Sequence, residues 1–199
     1  MSTLNTIVQH LIDEGKAARA HFQTWWALRN LAIPDFLPTM NKWEYVDFFH
    51  LSNSGHYKMI FFALSKVFDR DTRASGFASL KAALHAENRA ALAEYVEAEL
   101  SPLTARVARI DTIRNQTVAH NQTGLIRKEI YEANGVTPNE IRELIDKTCT
   151  VINQVARELG MSEIIFESMR FEEATLALLK ALQGNHTNAL QPTCQAAHD

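Results

Sequence analysis

Apolar residues recur every three or four positions along most of the chain, a spacing typical of helices that bury one face. No run alternates convincingly between apolar and polar residues, as a half-buried strand would. Glycine and proline are scarce, at 7 and 5 of 199 residues, which favours long helices. We therefore predict an all-α bundle of five or more helices. The pattern predicts helices over residues 3 to about 31, 42–67, 75 or 79 to 84, 88–100, 102–120, 138–159 and 171–182.

Some helix ends carry recognisable signals. Pro34 and Pro38 are expected to end the first helix, because the residue before a proline disfavours helical backbone angles. Thr137, Pro138 and Glu140 supply a cap residue, a first-turn proline and the acidic member of a capping box. This combination predicts a helix that begins at residue 138.

Length and charge set the broad class of the protein. A chain of 199 residues is expected to form one domain, which we place at residues 1–183. Residues 184–199 lack periodicity and are predicted to be a flexible tail. The formal net charge of −3 argues against a protein that coats nucleic acid generally, although it leaves room for a local basic cleft.

Cysteine content and hydropathy indicate the compartment. Cys149 and Cys194 are too few for a disulfide scaffold, so we expect a reducing, cytoplasmic location. Cys149 falls on the apolar face of its predicted helix and is expected to be a small core residue. No run of about 18 apolar residues occurs, so we predict no membrane partner.

Motifs for cofactors and metals are missing from the sequence. There is no P-loop, no dinucleotide glycine fingerprint and no nucleophile elbow. His50 and His56 lie six residues apart and do not form the HExxH arrangement that places two metal ligands on one helical face. We therefore predict a protein without a cofactor or a catalytic metal.

Arg114 occupies an unusual position in the helix predicted over residues 102–120. At about 100° per residue it lies in the middle of that helix's apolar stripe. The stripe consists of Leu103, Val107, Ile110 and Val118. A buried charge without a partner costs several kcal/mol, about 3–5 by mutagenesis, so a guanidinium here requires an anion. Two interpretations follow: Asp111, three residues earlier, pairs with Arg114 as a structural support, or Arg114 binds a phosphate or carboxylate ligand.

His120 favours the second interpretation. It follows Arg114 by six residues, so on a regular helix the two side chains diverge by about 120°. One copy of the helix would not bring them together easily. Two subunits that meet across a two-fold axis would place the Arg of one beside the His of the other, or gather both pairs in one cleft.

The run Arg114-Asn115-Gln116-Thr117-Val118-Ala119-His120 resembles the signature of the HEPN superfamily, an Arg followed after four to six residues by a His. The preceding helices and the run VFDRDTR at residues 67–73 resemble the abortive-infection, AbiU2-like branch of that superfamily. The resemblance covers residues 1 to about 160. It implies a HEPN-like helical bundle with long antiparallel helices.

The resemblance also implies a function. HEPN nucleases are metal-independent endoribonucleases, and their active site is composite, formed by a homodimer. Carried onto this chain, Arg114 and His120 would be catalytic and Asn115 would orient the phosphate or the His. The expected partners are RNA, a second copy of the chain and an antitoxin protein, in phage defence or a toxin–antitoxin pair.

Residues 69–73 form a charge-dense turn that allows two interpretations. The simpler is a solvated turn with local ion pairs. The alternative is that Arg70 or Arg73 extends a phosphate-binding surface, or that Asp69 or Asp71 orients Arg114. Among these, we count Arg73 as a supporting site residue, together with Asp111.

A different functional class also fits the sequence. A HEPN-like helical module can bind RNA, a nucleotide or a partner protein without cleaving anything. The residues do not separate this interpretation from the nuclease, so the distinction requires an activity measurement.

Overall fold

A computed structural model describes residues 3–115, 135–162, 166 and 168–189, with the side chains of 185–189 left out. These residues form helices and connecting turns without a strand, so the predicted all-α, HEPN-like helical bundle is confirmed. The α-helices are α1 (Thr3–Trp26), α2 (Ile33–Met40), α3 (Val46–Val67), α4 (Phe77–Ala86), α5 (Ala90–Leu100), α6 (Thr104–Ile113), α7 (Pro138–Glu158) and α8 (Arg170–Ala189).

Two short helical segments of other geometry join these elements. A π-helical segment, Ala27–Leu31, follows α1, and the amide of Ala32 donates to the carbonyl of Ala27 over 2.8 Å, the five-residue bond that defines it. A 3₁₀ turn, Ser101–Leu103, leads from α5 into α6. None of the described helices combines the length and the apolar character needed to span a bilayer.

The chain divides into two compact units. The site unit comprises Met1–Phe22 and His56–Glu167, and the second unit comprises Gln23–Gly55 and Ser168–Asp199. The residues with candidate chemistry in the described part of the chain belong to the site unit. The single domain predicted over residues 1–183 stays a prediction.

The core of the site unit is built from the apolar faces of α1, α3, α4, α5, α6 and α7. Fully burying a large aliphatic or aromatic side chain contributes roughly 1.5–3 kcal/mol, so these residues dominate the stability of the unit. Its most deeply buried large side chains are Leu4, Leu11, Ile60, Phe61, Leu64, Leu80, Leu84, Ile110, Ile113, Ile141, Leu144 and Ile145. Cys149 joins this core as predicted, and burial raises the pKa of its thiol to about 11, which leaves it unreactive at neutral pH.

Helix α7 begins as its sequence predicts. The Thr137 hydroxyl accepts from the Glu140 amide over 3.2 Å, and the Glu140 carboxylate accepts from the Thr137 amide over 2.8 Å. Arg109 of α6 donates to the same carboxylate over 2.6 Å and to the Gly135 carbonyl over 2.8 Å. The bonds that Thr137 and Arg109 make to the carboxylate lower the pKa of Glu140 to about 2. The two bonds of Arg109 attach α6 to the start of α7.

The second unit has its own apolar cluster. Leu28, Ala32, Met40, Phe49 and Leu179 form it, and all are buried. The buried side chain of Gln23 fixes the start of α8, because its amide donates to the Ser168 carbonyl over 2.7 Å and its oxygen accepts from the Phe171 amide over 3.3 Å. A buried amide satisfied on both sides specifies this chain path.

Several predicted helix ends were wrong. The first helical run ends at Leu31, as predicted, but a further helix, α2, follows it: Pro34 lies in the first turn of α2, where its missing amide costs nothing, and Pro38 lies within that helix. Helix α3 begins at Val46, after a turn at residues 41–45, and α4 begins at Phe77. Helix α8 continues to Ala189, beyond the predicted end at residue 182, and it contains Gly184, which costs a helix only about 1 kcal/mol.

The loop of residues 68–76 connects α3 to α4 and contains the charged turn. Its close packing depends on Gly76, whose amide donates to the Ser79 hydroxyl over 3.1 Å while that hydroxyl donates back to the Gly76 carbonyl over 2.9 Å. A Cβ atom at Gly76 would lie 3.0 Å from the carbonyl oxygens of Lys66 and Val67 and 3.1 Å from that of Asp69. Backbone atoms cannot yield to such a contact as a flexible side chain would.

We expect Gly76→Ala to destabilise the protein by about 1–3 kcal/mol, the usual cost of overpacking. Chemical denaturation followed by circular dichroism measures the change. Gly55→Ala is the matched control, because its Cβ would meet nothing within 4 Å, and in mid-helix it should stabilise by up to about 1 kcal/mol. Equal stability of the Gly76→Ala variant and the wild type would contradict the tight packing of this loop.

Candidate functional site

Asp111 of α6 and Arg114, the residue that follows the end of α6, lie on one side of the helix. Val107 and Arg114 are seven residues apart, which on a helix places them about 20° apart around the axis and about 10 Å apart along it. Asp111 lies between them, one turn from each. The backbone of Arg114 and Asn115 is π-helical, a geometry that often marks functional sites.

Arg114 combines partial burial with missing hydrogen bonds. Its neighbours Ile110 and Ile113 are buried in the core of the site unit, and Arg114 itself is half-buried. Its Nε atom is buried and has no hydrogen-bond partner among the described residues. An unsatisfied buried donor costs about 1–3 kcal/mol, more for a charged group, so this guanidinium is disposed to receive an anion.

Asp111 lies in a cluster of four charged side chains. Burial raises the pKa of its carboxyl group above the ordinary value, and Asp69 acts in the same direction. The cations Arg114 and Arg70 oppose this by favouring the charged carboxylate. Asp111 therefore interacts electrostatically with Arg114, as one of the two interpretations of the sequence expected, and also with an arginine of the charged turn.

Local pairs organise the charged turn. The Arg73 guanidinium donates to both carboxylate oxygens of Asp71, over 3.0 Å from Nε to Oδ1 and 2.7 Å from Nη2 to Oδ2. The Asp71 amide in turn donates to Asp69 over 2.9 Å. Arg73 is 89% exposed, so its pair with Asp71 is a solvated one, as the simpler interpretation expected. The supporting role predicted for Arg73 stays a prediction.

Arg70 is an alternative to Arg73 on the sequence alone, but of the two only Arg73 is counted there as a supporting site residue. It lies in the same turn as Arg73 and is also exposed, yet it is Arg70 that acts on Asp111. The sequence contains no signal that separates two arginines three residues apart in a turn. The path of the loop decides which of them approaches α6.

A cavity of about 390 Å³ opens next to this cluster. The loop of residues 68–76 supplies Phe68 and Arg70 to its wall, and α6 supplies Thr104 and Val107. Val107 also belongs to the side of α6 that carries Arg114. The cavity and the cluster therefore lie along one face of the site unit.

Two further residues, Asn115 and His120, were predicted to belong to the site. Asn115 is exposed to solvent directly beside Arg114. His120 lies outside the described residues, together with the rest of the motif from Gln116 onward. The catalytic roles of Arg114, Asn115 and His120 rest on the sequence pattern and stay predictions.

A pair of histidines elsewhere in the site unit was not predicted. The Nδ1 atoms of His21 and His56 lie 2.8 Å apart, so one ring donates a hydrogen bond to the other. Burial lowers the pKa of both rings, which keeps the pair neutral at physiological pH. No group of three His, Cys, Asp or Glu side chains suited to a metal occurs in the described ranges.

Comparison with known families agrees with the architecture. A family model, HEPN_AbiU2, described as AbiU2, matches residues 1–170. The match spans α1 to α7 and the whole run from Arg114 to His120. Searches of curated proteins and of solved structures found no match.

Arg70 and Arg73 are distinguished by their effect on the pKa of Asp111. We expect Arg70→Gln to raise that pKa further, because it removes one of the two cations that favour the carboxylate. Arg73→Gln, the matched control, should leave it unchanged. Titration of the Asp111 carboxyl carbon by NMR measures the difference. An equal shift in both variants would contradict the placement of Arg70 beside Asp111.

Proposed function

The chain belongs to the AbiU2 family of HEPN proteins, and from that premise we propose that it is a metal-independent endoribonuclease of abortive infection. The main support for the proposal is the environment of Arg114. A half-buried guanidinium whose Nε lacks a hydrogen-bond partner among the described residues is suited to an anion that arrives with the substrate. In RNA that anion is the phosphodiester.

RNA supplies its own nucleophile in the proposed reaction. The 2′-hydroxyl attacks the adjacent phosphorus and loses its proton to a general base, and the bond to the 5′-oxygen of the next nucleotide breaks. The leaving oxygen takes up a proton. The products are a 2′,3′-cyclic phosphate and a 5′-hydroxyl. DNA lacks the 2′-hydroxyl and is left intact.

Arg114 binds the scissile phosphate and stabilises the charge that grows on it in the transition state. Its planar fork of donors matches two phosphate oxygens, which an ammonium group cannot do. Asp111, one turn earlier, supports the orientation of Arg114 through their electrostatic attraction. Asn115, exposed next to Arg114, orients the phosphate or the general base.

His120 is the proton carrier in this scheme. The ordinary pKa of histidine, about 6.5, allows it to accept a proton from the 2′-hydroxyl and to return one to the leaving oxygen near neutral pH. HEPN domains generally dimerise, and we propose a homodimer in which Arg114 of one chain and His120 of the other complete one site. An antitoxin protein that covers this site in the cytoplasm would restrain the enzyme.

Substitutions at two residues test the catalytic roles. We expect His120→Ala to lower single-stranded RNA cleavage by about 10²–10⁴-fold, through loss of general acid–base catalysis. Arg114→Ala should lower it by about 10²–10³-fold, and Arg114→Lys should restore it only in part. Gel assays with EDTA present, and analysis of the fragment ends, measure rate and chemistry. Circular dichroism checks the fold of each variant.

Matched substitutions and DNA provide the controls. His85→Ala and Arg157→Ala remove exposed residues of α4 and α7 and should leave the rate unchanged. A DNA strand of the same sequence should remain uncut. Wild-type protein that binds RNA without cutting it would instead be a non-catalytic binding module. If nothing is cut and Arg114→Ala only weakens dimerisation, the Arg114–Asp111 pair is structural.

The composite site has a separate test. We expect an inactive Arg114→Ala protein and an inactive His120→Ala protein to regain activity when they are mixed and allowed to exchange subunits. One site of the mixed dimer then combines the intact Arg114 of one chain with the intact His120 of the other. Absence of any regain, with subunit exchange shown by differently tagged chains, would place both residues of a site in one chain.

A further inference from the structure

The cavity beside the charged cluster has no role in the chemistry described so far. Three parts of the site unit enclose it: the loop of residues 68–76, α4, and the stretch from the end of α5 into α6. Its volume of about 390 Å³ lies within the range of sites that hold small organic ligands, about 300–1,000 Å³.

The position of the cavity relates it to Arg114. Val107 lines it, and Arg114 lies on the same side of α6, about two turns further on. Arg70 lines it as well and acts electrostatically on Asp111, which sits between Val107 and Arg114 on α6. A ligand with an anion at Arg114 would therefore have its neighbouring part at the mouth of the cavity.

The walls of the cavity combine two aromatic rings with a polar rim. Phe68 and Phe77 lie with their ring centroids 5.5 Å apart and their planes tilted by 54°, and Phe68 is only partly buried and lines the cavity. At the rim, Ser101 and Thr104 carry hydroxyl groups, and the Thr104 hydroxyl donates to the Ser101 carbonyl over 2.8 Å. Stacking surfaces with polar edges are how proteins hold unpaired bases.

The charges of the cavity favour an uncharged occupant. The cations Arg70 and Lys81 are matched by the anions Asp69 and Glu97, and Lys81 pairs with Glu97. A site for a phosphate would have an excess of cations, which this cavity lacks. Carboxylates at its edge accept hydrogen bonds from exocyclic amino groups, which adenine, cytosine and guanine carry and uracil does not.

We propose that this cavity is a base-binding subsite, which seats one nucleobase of the RNA next to the bond that is cut and prefers bases with an exocyclic amino group. The inference rests on the proposed ribonuclease function and adds a substrate preference to it. Arg114 holds the scissile phosphate, and Phe68 stacks on the neighbouring base. Glu97 accepts a hydrogen bond from Lys81 through Oε2, and its Oε1 atom accepts from the exocyclic amino group of that base. The subsite thus determines which phosphodiester bonds are cut.

The test is the cleavage profile on a random-sequence RNA pool, read by sequencing the fragments that begin with a 5′-hydroxyl. Wild-type protein should show uracil depleted at one position close to the cut. Thr104→Phe fills the mouth of the cavity and should flatten this preference and slow cleavage by about tenfold or more, as the loss of one stacked base does. Glu97→Gln should weaken the discrimination against uracil with a smaller effect on rate.

Each variant has a matched control outside the cavity. Thr150 of α7 is an exposed threonine whose hydroxyl likewise bonds to a backbone carbonyl, so Thr150→Phe should keep the wild-type profile. Glu94 lies on α5 one turn before Glu97 and is exposed, so Glu94→Gln should also keep it. Folding of all four variants is checked by circular dichroism.

The outcomes separate the two proposals. If the wild-type protein cuts RNA but Thr104→Phe and Glu97→Gln keep its base profile, the proposed base-binding subsite is wrong and the proposed ribonuclease function is unaffected. The same holds if wild-type cleavage shows no base preference near the cut. If the wild-type protein cuts no RNA, both the ribonuclease proposal and the subsite proposal are wrong.

Discussion

The arrangement of the site unit depends on one unfavourable placement, a guanidinium drawn partly into an apolar helix face. Arg114 follows directly after the buried Ile113, and its Nε atom is removed from water without a hydrogen-bond partner in the described part of the chain. Such a group is stabilised by a nearby anion, and the Asp111 carboxylate, one turn earlier, interacts with it electrostatically. The site unit therefore holds a partly buried cation beside a carboxylate at the end of α6.

That placement requires α6 to be held firmly on its other side. Arg109 bonds to Glu140 and to the Gly135 carbonyl, and Arg106 pairs with Glu143 over 3.2 Å. Each exposed pair is worth little by itself, about 0–1 kcal/mol, but together with the buried Val107 and Ile110 they fix the rotation of α6 about its axis. That rotation decides which residues face the cavity and the charged cluster.

In the loop of residues 68–76, the two arginines interact with different partners. The solvent-exposed guanidinium of Arg73 donates two hydrogen bonds to the Asp71 carboxylate, which stabilises the turn. Arg70 instead acts on Asp111 and lines the cavity. Gly76 allows the loop to pack tightly against the end of α3, so a missing side chain there is as important as the charged ones are elsewhere.

Local patterns in the sequence were enough for the helical class, for the cap at Thr137 and for Arg114 as an anomaly on an apolar stripe, because helical periodicity and capping act within a few residues. The same patterns missed α2, since a proline that follows one helix can also lie in the first turn of the next. Only the tertiary structure decided that Arg70 approaches Asp111, that His21 meets His56 and that a cavity opens beside α6. Those contacts join residues 35 or more positions apart, and no spacing within a single helix or turn records which distant segment will pack against it.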